Sequence, residues 1–203
     1  MDGLLEVAVK PSTVFFVKLS LMIILGIDPG TATTGYGLIR VPDDILKREF
    51  DYHIELIDYG FISTPKEALM EKRLVMLHHE LEDLLTRHQP DLIVIEMLFF
   101  GANTRTAISV GQARGVVMLS AGMHNVPIHE YTGPQVKLMV AGSGRADKKQ
   151  VHEGVRNFLG KNGQKFQELS APSNGNTRKK SFNDDAADAV AIAITHVLKL
   201  VAK

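Results

Sequence analysis

Two short stretches of unbroken apolar residues, each closed by an acid, frame the first half of the chain. Met22-Ile-Ile-Leu-Gly-Ile-Asp28 and Leu92-Ile-Val-Ile-Glu96 carry no polar residue until their last position. A strand covered on both faces has that pattern, because neither side can be polar. Tyr36 to Val41 and Ile54 to Ser63 read as two further strands, the first returning beside the opening strand through a turn marked by Pro29-Gly30 and Gly35. The polar, acidic stretch from Pro42 to His53 reads as a loop.

Helical periodicity takes over after Ser63. Thr64-Pro65-Lys66-Glu67 joins a capping hydroxyl, a proline at the first helical position and a glutamate three residues after the cap, so a helix is expected to start there. Met70, Leu74, Leu77, Leu81 and Leu84 then fall at steps of four and three, one apolar stripe that runs to the stop at Pro90. Thr104 to Met123 is a helix rich in small residues, Val126 to Tyr131 a strand, and Gly133-Pro134 opens another helix. Asp147 with Gln150 forms a capping box for the next one. Gly160 to Asn183 lacks a period and is rich in Gly, Asn, Ser, Lys and Arg, which predicts a basic loop. Asp184 to Val201 is a helix apolar on nearly every side and hence buried. The three hairpin-linked strands followed by alternating helices and strands imply an α/β fold, a mixed sheet flanked by helices on both faces. This is the element order of an RNase H-like fold.

With 203 residues there is room for one core, placed at 22–203, with residues 1–21 as an N-terminal tail upstream of a second candidate start at Met22. The apolar run from Val14 to Ile27 is broken by Lys18 and too short to span a membrane. The chain has no cysteine, which removes disulfides, thiolate metal sites and a cysteine nucleophile and accords with a cytoplasmic location. A metal would have to use oxygen or imidazole. The formal net charge of zero conceals a split: twelve acidic and six basic residues from Val41 to Asp91, ten basic and four acidic from Glu130 to Asn183. The second segment can present a basic face to phosphate, although solvated helix faces account for both segments on charge alone.

The chemistry lies in the acids. Asp28 and Glu96 close two apolar strands, where a buried carboxylate needs a cation or hydrogen bonds. Taken singly, each is equally a turn or helix cap. Asp184-Asp185-Ala186-Ala187-Asp188 places acids at helical spacings of three and four, so that two can aim at one point. Asp184 and Asp185 are also what the first turn of a helix favours. Asp188, set among Ala, Val and Ile, has no such excuse. Oxygen ligands from three elements would suit hard divalent cations that drive phosphodiester hydrolysis.

Gly26-Ile-Asp-Pro-Gly30 with Thr34-Gly-Tyr-Gly37, Ile95-Glu96 with Phe99, Gly111-Gln-Ala-Arg-Gly115, and Asp185-Ala-Ala-Asp188-Ala189 with Ala191-Ile-Ala-Ile-Thr-His196 together resemble the RuvC family of Holliday junction resolvases, the crossover junction endodeoxyribonucleases. The resemblance runs in order from Met22 to about His196. It implies a single RNase H-like nuclease domain that nicks four-way DNA junctions in recombination and repair. It also implies Mg²⁺, with Mn²⁺ as a substitute, a homodimer, and the branch-migration partners RuvA and RuvB. By motif, Asp28, Glu96, Asp185 and Asp188 become the metal ligands and catalytic acids, with Asp184 a neighbour. Phe99 matches an aromatic residue at the junction crossover, and Lys137 and Lys148 match basic residues near the scissile phosphate, with Lys149 beside them in the basic segment. From the residues alone Phe99 and Phe100 are equally core, and the lysines equally solvated. The tail, the stretch at 42–53 and the loop near 165–183 exceed the family's usual length, which leaves the acids intact but touches substrate handling. Two other classes compete. Asp28-Pro29-Gly30-Thr31 also suits a phosphate-holding turn of the sugar kinase and actin superfamily, although that fold needs a duplicated domain. A junction-binding protein without catalysis would not need all four acids.

Overall fold

The computed structural model describes residues 21–42, 54–97, 104–160 and 177–202. Strands β1 (Leu21–Asp28), β2 (Thr33–Pro42) and β3 (Glu55–Ser63) precede helix α1 (Met70–His88). Strand β4 (Leu92–Glu96), α2 (Thr104–Met123), β5 (Ile128–Tyr131), α3 (Gly133–Ala141), α4 (Lys148–Leu159) and α5 (Thr177–Val201) follow. The five strands form one sheet in the order β3-β2-β1-β4-β5. β1, β2 and β3 are antiparallel neighbours, while β4 runs parallel to both β1 and β5. Such a mixed sheet is what the run of strands and helices predicts, because the two later strands are each reached by a helical crossover.

Strand side chains alternate between faces, and the two halves of the core obey that rule. Leu25, Ile27, Ile93 and Ile95 point to one face, where Leu77, Leu81, Leu84 and Leu85 of α1 and Ala113, Val117 and Ala121 of α2 cover them. Ile24, Leu92 and Val94 point to the other, under Val136 and Val140 of α3, Val151, Val155 and Leu159 of α4 and the buried Ala187, Val190 to Ile194 and Val197 of α5. By the same alternation Asp28 and Glu96 belong to the α3-α4-α5 face. Ile27 is the register partner of Ile95 on the parallel neighbour, so the two acids close adjacent strands side by side.

The approach of α5 depends on missing side chains. A Cβ on Gly26 would stand 2.1 Å from the Ala189 carbonyl oxygen, one on Gly35 2.1 Å from that of Asp185, and one on Gly37 2.4 Å from Val190 Cγ2. Gly26 and Gly37 are also register partners across β1 and β2. These bare backbone positions let the helix lie directly on the sheet, and the alanines of α5 complete the contact.

Three expectations need correction. Thr64 does not cap a helix. Its hydroxyl donates to the Thr31 carbonyl at 2.5 Å and accepts from Arg73 Nε at 2.8 Å, a turn closes from Pro65 to Ala68, and α1 starts at Met70 without a side-chain cap. The hydroxyl is committed to the turn after β1, and that tertiary use prevails over the local capping pattern. The terminal helix starts at Thr177, seven residues before Asp184, so part of the expected basic loop is helical and neither Asp184 nor Asp185 lies in a first turn. Their favourable interaction with a helix N-terminus therefore falls away. Strand β5 begins at Ile128 instead of Val126, whose backbone N–H bonds the Ala121 carbonyl at the end of α2. Residues 1–20, 43–53, 98–103 and 161–176 lie outside the described residues, and with them Phe99, Phe100 and most of the expected loops.

Gly26→Ala tests the helix-sheet contact. The new methyl meets backbone on α5, which has no rotamer to give, so unfolding in urea should show a loss of about 2–3 kcal/mol or more. A variant as stable as the parent would show that α5 does not need the bare strand.

Candidate active site

The acids reach the site by three devices. Asp28 is the last residue of β1, beyond which the chain turns at Pro29-Gly30. That turn is stapled by Thr34, whose hydroxyl donates to the Gly30 carbonyl at 2.6 Å. A Cβ on Gly30 would stand 2.3 Å from the Thr33 carbonyl oxygen, so glycine is required there. Glu96 closes β4, and its Oε1 lies where a Cβ on Gly133 would be only 2.5 Å away. Glycine at the first position of α3 thus makes room for the Glu96 carboxylate. Thr132 fixes the start of that helix through a capping box with Gln135. Asp185 and Asp188 come from α5, one turn apart, delivered by the glycine contact described above.

The four acids share one electrostatic neighbourhood. Burial, reinforced by Asp188, Glu96 and Asp185, pushes the Asp28 carboxyl up to about 7. Burial and then Asp188 raise Glu96, with Lys137 opposing. Asp185 is raised by burial and by Asp188 and Asp184, against Lys148. Like charges held together in a poorly hydrated place resist ionisation, which is the signature of a cluster that lacks its counter-charge. Lys148, at the start of α4, supplies part of it. Its Nζ is 3.2 Å from Asp188 Oδ2 and 3.8 Å from Asp184 Oδ2. Burial works against the Lys148 charge, but Asp188, Asp184 and Asp185 outweigh it and hold the ammonium above the ordinary lysine range. One turn further on, burial depresses His152, and its Nε2 is buried without a hydrogen-bond partner.

A cavity of about 140 Å³ adjoins the acids, lined by Glu96, Lys137, Lys148 and Asp188 over a floor that includes Val136 and Val151. The structure therefore brings together Asp28, Glu96, Asp185, Asp188, Lys137 and Lys148. Lys149 is exposed on α4 and outside this group, and Phe99 lies outside the described residues. Among the described residues no three acidic or imidazole side chains already surround a single ion position. The donor set nonetheless suits a hard divalent cation, since it is all carboxylate oxygen and carries more negative charge than one lysine offsets.

A family profile described as crossover junction endodeoxyribonuclease RuvC matches residues 24–172. The chain belongs to the RuvC family. The curated RuvC of Desulfitobacterium hafniense is 48% identical over 175 residues, 86% of this chain and 92% of that protein. That of Syntrophomonas wolfei is 42% identical over 176 residues, 87% and 88% of the two chains. Among solved structures, Thermus thermophilus RuvC in complex with a Holliday junction substrate superposes with a TM-score of 0.71 at 29% identity, covering 89% of this chain and 96% of that one. The yeast mitochondrial Holliday junction resolvase Ydc2 shares the fold, with a TM-score of 0.57 at 15% identity. The RuvC family motifs Gly26–Gly30 and Thr34–Gly37 are also the strand ends on which α5 rests. The motif Gly111–Gly115 divides its work: Ala113 is fully buried, Arg114 pairs with Glu130 on β5, and Gly115 faces open space. Gly133 is expected from the sequence only as a helix opener, and neither its clearance for Glu96 nor the pairing of Asp184 with Lys148 is signalled there. The glycines at Gly26 on β1 and at Gly35 and Gly37 on β2 carry a sequence signal; those two contacts, made between distant elements, do not.

The raised Asp28 carboxyl has a measurable sign. Unfolded, it ionises near 3.8; folded without cation, it keeps its proton up to about 7. The folded state thus binds the extra proton between those values, and stability present below 3.8 is lost as pH rises through about 7. In chelator, Asp28→Asn should gain stability relative to the parent across that window, by up to roughly 4 kcal/mol. A pH-independent difference between the urea curves would contradict the burial argument. Gly133→Ala separates site from scaffold. An alanine in the first turn of α3 should leave stability unchanged or raise it by up to about 1 kcal/mol. The displaced Glu96 should at the same time lower junction cleavage several-fold. Equal cleavage would mean that Glu96 tolerates the move.

Proposed function

We propose that the protein resolves four-way DNA junctions by paired, symmetric nicks, using a divalent cation held by Asp28, Glu96, Asp185 and Asp188. The observation that carries the reading is the convergence of these acids, from two adjacent strand ends and one helix, in a chain of the RuvC family. These four acids would hold Mg²⁺, or Mn²⁺ in its place, which would supply Lewis acidity for phosphodiester hydrolysis. The chain's own part is to hold the acids at fixed relative positions, since two come from the rigid sheet and two from a helix seated on it. Lys137 and Lys148 face the same cavity and present ammonium groups to phosphate oxygens, where a compact charge gains most from partial desolvation. Val136 and Val151 keep the floor of that cavity apolar. Lys149 and Phe99 extend the DNA contact, the first from the exposed face of α4 and the second from the segment after β4.

One set of acids makes one cut, whereas a junction needs two, so the working unit is a homodimer. Helix α2 offers the surface. Its inner side is buried, but Ile108, Gln112, Gly115, Met118, Leu119, Gly122 and Met123 are exposed at helical spacing. Among the described residues, nothing lies within 4 Å of where a Cβ on Gly115 or Gly122 would stand. An apolar stripe with small residues along it suits close approach by the same helix of a second copy. The reading places the enzyme in the cytoplasm beside RuvA and RuvB, which supply branch migration. No helix among the described residues is long and apolar enough to cross a membrane.

A cruciform extruded from a supercoiled plasmid tests the proposal, because two nicks within one binding event yield linear DNA and isolated nicks yield relaxed circles. With Mg²⁺ the parent should linearise the plasmid. Asp28→Asn should lose more than the roughly 10- to 100-fold that outer-shell changes cost at metal sites, while still binding junctions. Mixed dimers should mostly nick. Cleavage by Asp28→Asn near the parent rate would sink the site, and linearisation by mixed dimers would sink the pairing.

A further inference from the structure

Asp184 has no task in the reading above, yet it occupies a defined position. It stands one helical turn before Asp188 on α5, and both carboxylates face Lys148, with side chains 26% exposed against 62% for the lysine. Asp185, the next residue, is turned about 100° around the helix and acts on Asp28. Asp184 acts on Lys148, on His152 and on the adjacent Asp185, and of the two it is the one whose carboxylate lies within ion-pair distance of Lys148. The helix thus aims Asp185 and Asp188 into the acid cluster and Asp184 at the lysine beside it. Lys148 has its short contact, 3.2 Å, with Asp188, and its longer one, 3.8 Å, with Asp184. A divalent cation on Asp188 would compete directly with the first contact and leave the second free to shorten.

We propose that Lys148 is the resident counter-ion of the metal-free acid cluster and that Asp184 is a positioning residue, the anchor to which Lys148 moves when divalent cations take Asp188. The proposal rests on the assignment of the four acids as metal ligands. Its physical basis is exchange between partners. Lys148 lowers the repulsion among the acids while no cation is present, which keeps the site assembled. With Asp188 engaged elsewhere, Asp184 would keep the ammonium from swinging into solvent, within reach of a phosphate at the cavity it lines. An exposed lysine with four rotatable bonds can make such a move without any backbone change. Asp184 touches neither substrate nor cation in this scheme and acts through Lys148.

The test is a double-mutant cycle of Lys148→Met and Asp184→Asn, read first by Mn²⁺-dependent thermal stabilisation of the DNA-free protein, which reports cation affinity. Lys148→Met should tighten Mn²⁺ binding by roughly two- to fivefold, the scale of a partly exposed ion pair, and lower the melting temperature in chelator. Asp184→Asn should weaken Mn²⁺ binding, because the lysine then rests on Asp188 alone. In the Lys148→Met background the same change should have little effect. Junction cleavage at saturating Mg²⁺ should fall in Asp184→Asn, recover in Asp184→Glu and be insensitive to residue 184 once Lys148 is gone. Additive effects in the cycle, or weaker Mn²⁺ binding by Lys148→Met, would overturn the proposal. Asp28→Asn is the control for the assignment beneath it. If that variant still gains Mn²⁺ stabilisation, the ligand assignment fails and the proposal with it. If it loses stabilisation while the cycle is additive, only the role of Asp184 fails.

Discussion

The seating of α5 on bare strand backbone is the contact on which the rest of the molecule turns. Gly26, Gly35 and Gly37 remove the side chains that would hold a helix away from a sheet, and the alanines of α5 match them. The same contact completes one of the two cores and carries Asp185 and Asp188 to Asp28. Stability and site geometry are therefore not separable here. A helix standing a few ångströms further out would leave Asp28 and Glu96 as two isolated strand-end acids.

Electrostatics oppose what packing enforces. Asp28 is nearly buried and surrounded by Asp188, Glu96 and Asp185, so without a cation it holds its proton to about 7. Acids are not gathered in this way for stability, because each lowers the tolerance of the others for charge. The sheet and α5 impose the arrangement, and Lys148 relieves part of it. The structure stores an unmet demand for positive charge, and in a RuvC-family chain that demand is the natural place for metal chemistry.

Much of this was legible in the sequence, and the failures have physical causes. The strands ending in Asp28 and Glu96 were clear because burial on both faces leaves no alternation to misread. The capping box of α4 and the glycine-proline opening of α3 were clear because each is a local rule obeyed locally. Thr64 misled because its hydroxyl serves a residue more than thirty positions earlier. The start of α5 misled because Asp-rich segments favour helix starts, whereas here the acids sit two turns inside. The spacing of the acids suggested a shared face, but only the three-dimensional packing separates Asp184 from its neighbours, by giving it Lys148 in place of Asp28.

The order of the elements along the chain adds a consequence for biosynthesis. Asp28 and Glu96 are made with the sheet, while Asp185 and Asp188 belong to a helix translated long afterwards. A chain that stops short of α5 therefore carries only half of the acid set. The helix that completes the core is also the one that completes the acid set. Assembly of the acid set is thereby tied to finished folding, because a copy without α5 leaves part of one sheet face uncovered.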